Sequence, residues 1–253
     1  MAVYQYIPET VSTNQLMKEA FKLHTMPESL VIYTDYQTGG KGQGSNSWES
    51  AKGKNVLFSI LLKPHSIPAE QQFLISQMVS LGVIDGLQSV LEGTPELEKI
   101  SLKWPNDIYW KDRKLGGILI ENIWRGNSIV SSVVGIGLNI NQEEFCSGAP
   151  NPVSLHQITG QHYNLRAVLT SVTEAVLVQY QHADYQAIRK NYLRKLYRNE
   201  GIWPFRDTSG TFEARINAVM PDGCLQLCDT SGILRNYYFK EVEFILPDIT
   251  SCF

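Results

Sequence analysis

The sequence predicts an α+β protein, with helices on a mixed, mostly antiparallel sheet and a small β-barrel at the C-terminal end. Three observations carry this reading. Apolar and β-branched residues within Ser101–Asn141 fall into three segments parted by turn residues, the pattern of a strand meander. Two long runs, Pro68 to about Leu91 and Leu165 to about Arg198, space their apolar residues as helices do. Beyond Gly201 only short apolar runs remain, with tight-turn signals between them.

In chain order, Ser12 and Gln15 form a capping-box pattern that opens a helix through Leu16, Ala20 and Leu23. Leu30–Tyr36 reads as a strand. Residues 37–54 then make a long mobile loop, rich in glycine and serine, whose one large apolar residue is Trp48. Asn55–Lys63 returns to strand, and Pro68 starts the first long helix. The meander strands are Asp107–Trp110, Lys114–Trp124 and Ile129–Ile140, turning at Lys111-Asp112-Arg113 and Arg125-Gly126-Asn127. A polar connection covers residues 142–164, and the second helical run breaks near His182-Ala183-Asp184. A composition shift at Asn199-Glu200-Gly201 divides residues 1–199 from 200–253, and the short strands of the second part suggest an SH3-like barrel.

Composition narrows the function classes. The chain has 253 residues, 43% of them hydrophobic and 19% charged, as soluble globular proteins do. A net charge of -3 gives no global basic field for nucleic acid or anionic lipid, and residues 201–253 carry no dense basic patch. No nucleic-acid partner is therefore expected. The four cysteines share no metal-ligand spacing with the five histidines, so free thiols in a reducing cytoplasm are expected. No basic leader precedes an apolar core, and no apolar run approaches the roughly 18 residues of a membrane span.

The chemistry gathers in two stretches. Gly39-Gly40-Lys41-Gly42-Gln43-Gly44 sets a cation among residues whose backbone N–H groups can converge on phosphate or carboxylate. It is neither a Walker loop nor a dinucleotide fingerprint, since no helix follows. In the meander, Lys103, Asn106, Asp107 and Lys114 cluster at the open ends of strands, and Gly116, Gly117, Gly135 and Gly137 interrupt strand interiors. A glycine inside a strand weakens it unless something must approach the backbone. A cation just before two glycines, with a carboxylate seven residues earlier next to an amide, describes a small-molecule pocket that meets negative charge.

These motifs, GGKGQGSNSW, KWPNDIYWKDRKLGGILIE and VVGIGLNIN, in that order after a Ser-Thr-Asn, resemble those of the biotin protein ligases. The resemblance spans Ser12 to about Asn141 and implies the biotin/lipoate ligase catalytic fold. It further implies an enzyme that joins biotin and ATP into biotinyl-5'-adenylate with Mg2+, then passes biotin to one lysine of a biotin carboxyl carrier domain. Lys114 matches the family's essential lysine, bridging the biotin carboxylate and the α-phosphate, with Lys41 assisting from the loop. Asp107 is the candidate to hold metal or to orient the acceptor amine. Ser12, Thr13, Gln37, Gly40 and backbone groups at Gly117 and Leu119 are expected around biotin. Gln43, Trp48, Asn106 and Asn139 are expected near the adenylate, with Trp48 folding over ligand.

Two departures from the family pattern qualify this. The loop commonly reads G-R-G-R, whereas here it is Gly40-Lys41-Gly42-Gln43, which loses one charge and the guanidinium fork and so predicts a weaker grip on the adenylate. A helix-turn-helix precedes the catalytic part in some members, but here the capping-box pattern already begins at Ser12, so no gene regulation is expected. A lipoate ligase shares the fold and the adenylation logic, yet a dithiolane needs no ring hydrogen bonds, and Ser12, Thr13 and Gln37 favour biotin. A silent biotin-binding module would lack Lys114 or Asp107. Either a monomer or a homodimer fits, the latter by pairing along Ser128–Gly135.

Overall fold

The structure is a computed structural model that describes residues 2–23, 26–64, 66–146, 151–181 and 184–247. Seven strands make the larger sheet: β1 (Val3–Thr10), β2 (Leu30–Gln37), β3 (Val56–Leu62), β4 (Ile100–Lys103), β5 (Asp107–Trp110), β6 (Arg113–Arg125) and β7 (Ser128–Leu138). Their order is β1-β2-β3-β7-β6-β5-β4. The β1–β2 pair is parallel and every other pair antiparallel, so the sheet is mixed.

Helices cover both faces of this sheet, and β3 shows why. All seven of its residues, VLFSILL, are buried, as expected of a strand covered on both sides. Leu61 joins Met17 of α1 (Thr13–Leu23), Leu30, Ile32 and Val133 on one face. Phe58, Ile60 and Leu62 join the opposite core, made with α2 (Phe73–Val90), α4 (Leu165–Gln181) and α5 (Tyr185–Lys195). A short helix, α3 (Leu155–Thr159), lies in the connection after β7.

The α2–α4 crossing is unusually close. A methyl group built on Gly82 would stand 2.4 Å from the Val176 Cα, and one on Gly86 would stand 2.5 Å from the Val172 Cα. Glycines one turn apart thus let the two backbones touch, and the Ser171 hydroxyl donates across the contact to the Gly86 carbonyl at 2.9 Å. Ala69–Val90, α2 with the turn before it, is apolar and long enough to cross a membrane by composition alone, with a mean hydropathy of 1.3. It serves as a core helix, 67% of that window being buried.

The C-terminal sheet has five antiparallel strands, β8 (Trp203–Asp207), β9 (Gly210–Val219), β10 (Leu225–Asp229), β11 (Leu234–Tyr237) and β12 (Glu243–Phe244), in the order β11-β10-β9-β8-β12. It is fastened to the larger sheet by side chains. The Trp104 indole donates to the Gly223 carbonyl at 2.9 Å. Arg198 donates to the Ile245 carbonyl at 2.9 Å.

The structure departs from the sequence reading at definite points. β1, β4 and β8 are strands that the apolar pattern did not signal, and the first long helix begins at Phe73 after a 3-10 turn rather than at Pro68. The capping box at Ser12 does not form. Gln15 donates to Glu19 at 2.9 Å, and Ser12 caps with its backbone carbonyl, which accepts from the Leu16 N–H at 3.0 Å. Ser132–Leu138 of β7 pairs with both β3 and β6, whereas Ser128–Ser131 pairs with β6 alone among the described residues, and the sheet's edge strands are β1 and β4. Of the expected helix break, residues 182 and 183 lie outside the described residues, as does Cys252.

Candidate functional site

Residues paired across neighbouring strands share a face, and the register therefore lays out the site. Lys103, Asp107, Gly117, Gly137 and Leu57 form one row across β4, β5, β6, β7 and β3. Leu119, Gly135 and Ser59 form the next row toward α1. The three glycines leave a shallow floor on the α1 face. At its edge the β5–β6 pairing slips, matching Ile108 with Gly116 but Tyr109 with Lys114. Lys114 and Gly117 are an odd number of positions apart and would point to opposite faces in a regular strand. The bulge turns Lys114 onto the face of Asp107, and the two meet at 2.6 Å.

The first turn of α1 closes one side of the floor. Asn14 lies over Gly135, where a methyl group would stand 2.4 Å from its Oδ1. Its amide nitrogen donates to the Leu119 carbonyl at 3.2 Å and to Glu121 at 2.9 Å. Ser59 bonds both Asn14 Oδ1 at 2.6 Å and the Thr13 hydroxyl at 2.7 Å. Gln37 Oε1 accepts from the Thr13 N–H at 2.8 Å and from its hydroxyl at 3.2 Å. The Gln37 amide nitrogen lies beside Gly40, 3.3 Å from where a methyl group there would stand. Asn14 and Ser59 were absent from the sequence reading as site residues. The signal for Ser59 was available: it is the one polar residue within an otherwise apolar strand, VLFSILL, and a buried hydroxyl needs a partner.

Within residues 37–54, expected as a mobile loop, Gly40–Trp48 form a narrow hairpin. Lys41 bridges Ser47, the Gly42 N–H donates to the Asn46 carbonyl at 2.8 Å, and the Trp48 N–H to the Gly40 carbonyl at 2.9 Å. A side chain at Gly40 would meet the Trp48 carbonyl at 2.8 Å, so close approach of the hairpin's own backbone requires glycine there. Trp48 lies on the floor. A methyl group on Gly137 would stand 2.7 Å from its ring, and one on Gly117 3.2 Å. Lys114 Nζ is 5.8 Å from the ring centre. Among the described residues neither the buried indole Nε1 nor the buried Gln43 Oε1 has a hydrogen-bond partner.

The sequence-predicted residues therefore divide. Ser12, Thr13, Gln37, Lys41, Gln43, Trp48, Asn106, Asp107, Lys114, Gly117 and Leu119 line one cleft of about 710 Å³, part of it open to solvent. Gly40 supports its hairpin wall. Lys103 and Asn139 line a wider neighbouring cleft toward the C-terminal sheet, which also holds Asp107 and Lys114. Lys103 stands 5.4 Å from the Tyr109 ring and 5.0 Å from the Phe244 ring. Burial there pulls its ammonium below the usual lysine range, opposed by the Asp107 carboxylate. Asn139 fixes backbone, its amide donating to the Val153 carbonyl at 3.2 Å and, at 3.4 Å, to that of Lys114, while its Oδ1 is buried and unpartnered. Asn106 likewise donates to the Ile118 carbonyl at 2.6 Å. The glycines also have packing reasons: a side chain at Gly116 would strike Leu138 at 2.6 Å.

Residues 6–139 match the Biotin/lipoate A/B protein ligase family. The chain belongs to that family. Among its relatives, the bifunctional ligase/repressor BirA of Bacillus spizizenii is 24% identical over 251 residues, covering 95% of this chain and 73% of that protein. Biotin--protein ligase 1, chloroplastic, of Arabidopsis thaliana is 34% identical over 139 residues, 53% of this chain and 35% of that protein. A solved structure of biotin protein ligase from Aquifex aeolicus, in complex with biotin and ATP, superposes with a TM-score of 0.76 at 22% identity, covering 96% of this chain and 99% of that one. The match confirms the family's α+β catalytic fold and runs on through the C-terminal sheet.

Proposed function

We propose that this family member is a biotin protein ligase whose chemistry centres on Lys114 and Asp107 above the glycine floor. It activates biotin with ATP and transfers it to a carboxylase carrier. In the first step a biotin carboxylate oxygen bonds to the α-phosphorus as the bond to pyrophosphate breaks. In the second, a carrier lysine nitrogen bonds to the acyl carbon, loses its proton, and AMP leaves. Two anions must meet in the first step, so the site has to supply positive charge. The observation that carries the reading is the Lys114–Asp107 pair at 2.6 Å beside the glycine floor.

Lys114 neutralises the meeting anions once its ammonium turns from Asp107 to substrate. Asp107 is thereby freed, and among the described residues it is the one carboxylate lining the inner cleft. One carboxylate beside substrate phosphates is the donor set Mg2+ commonly accepts, so Asp107 would hold the ion, which supplies charge to the triphosphate when bound. The same carboxylate can orient the acceptor amine in the second step. Thr13, Asn14, Ser59 and Gln37 form a bonded set suited to a ureido ring, which favours biotin over a dithiolane. Gly117 and Leu119 offer backbone groups beside them, and Lys41 and Gln43 face the adenylate from the hairpin. The domain boundary is drawn at residues 199 and 200, the second part closing as an SH3-like barrel. Cys146, Cys224 and Cys228 are free, consistent with a reducing cytoplasm.

Two measurements test this. ATP–pyrophosphate exchange should depend on biotin and not on lipoate; equal response to both would leave only the adenylation logic standing. For the hairpin, Gln43→Arg restores a charge beside the adenylate, so biotinyl-adenylate should dissociate several-fold more slowly. An unchanged or faster off-rate rejects the role given to position 43.

A further inference from the structure

Outside the cleft, the connection after β7 brings together two imidazoles and a carboxylate that the ligase reaction does not use. Ligand atoms of Glu143, His156 and His162 all lie within 4.8 Å of one another. We propose that these three side chains bind a single zinc-class divalent ion. Two imidazoles and a carboxylate, with a fourth position left to water, are a donor set that Zn2+ accepts.

The local fold builds this arrangement. His156 lies in the first turn of α3, and Gly160, at φ 72, ends that helix and turns the chain back. The turn stacks His162 on His156 with ring centres 4.2 Å apart and planes 17° apart. His156 Nδ1 is 3.1 Å from the Gln161 carbonyl. Donation there fixes the tautomer and leaves the Nε2 lone pair for metal, the usual arrangement of a ligating histidine. Glu143 is tied to the same helix, because the Gln157 amide, part of the Ser154 capping box, donates to its backbone carbonyl at 2.7 Å. The competitor is Lys54, 3.8 Å from Glu143 Oε1 in an exposed pair, a contact of little strength. Zn–N distances of about 2.0 Å put neighbouring ligand atoms roughly 3.3 Å apart, so binding requires the exposed His162 ring to rotate out of the stack until both in-plane lone pairs meet at one ion.

The ion would anchor α3, and the residues leading into that helix touch the strand that carries Lys114. The Lys114 N–H donates to the Asn151 carbonyl and the Val153 N–H to the Lys114 carbonyl, each at 2.9 Å. Occupancy therefore braces the start of β6 from outside the pocket. The site stands whether or not the reading of the pocket is right.

The test uses the full chain without a histidine tag, stripped with chelator and titrated calorimetrically with ZnSO4. Saturable binding of a single ion is expected, with a higher melting temperature, and Co2+ in its place should give visible absorption. His162→Asn and Glu143→Gln, both at exposed side chains, should each weaken binding at least about tenfold, the loss that even outer-shell changes cause. No saturable binding overturns the proposal. So does equal affinity in both variants, or loss of binding in Cys146→Ser instead, which would move the ion to the exposed thiol.

Discussion

Replacing Lys114 with methionine should lower biotin-dependent ATP–pyrophosphate exchange by about 10²–10³-fold, the cost of removing one preorganised charge-stabilising donor. Methionine keeps the unbranched shape and removes only the cation. The nearby Lys103 is no substitute, because it is buried against Tyr109 and Phe244 and lines the wider cleft. The variant also leaves Asp107 unpaired, its side chain only 19% exposed, and some loss of stability is expected on that account. The double variant Lys114→Met/Asp107→Asn separates the two effects. Stability should return toward the parent value while exchange stays low. Exchange at the native rate in the single variant would end the mechanistic reading.

The second large effect lies far from the cleft. Gly82→Ala should destabilise the fold by about 3 kcal/mol, the upper part of the usual range for overpacking. The added methyl would sit 2.4 Å from the Val176 Cα and 2.8 Å from its nitrogen. Those are backbone atoms of a helix, which cannot rotate aside as a side chain can. The α2 and α4 axes would have to part, breaking the Ser171–Gly86 hydrogen bond as well. The urea midpoint reads the change directly. A shift worth less than about 1 kcal/mol would mean that the helices separate cheaply.

How much of this the sequence disclosed depended on local signals. The meander strands were legible to within a few residues because β-branched runs end at turn residues such as Arg125-Gly126-Asn127. β1 and β8 escaped because each contains a proline, Pro8 and Pro204, which argues against a strand interior. β1 tolerates its proline as an edge strand. β4 escaped because its four residues are too few to show alternation. In the site, Lys114, Asp107 and Asn106 were legible through charge and amide groups set among apolar residues. That Lys114 and Asp107 share a face was not, since it depends on a bulge that no residue type announces. Asn14 and Ser59 were hidden for a related reason. Their roles exist only because α1 lands on Gly135, a contact between residues distant in sequence.

The indole of Trp48 rests against bare backbone at Gly117 and Gly137, and this contact docks the hairpin onto the sheet. Any larger residue at position 137 would prise the ring off and swing Lys41, carried on the same ribbon, out of alignment with Lys114. Two positions that bear no side chain thus set where a distant ammonium stands.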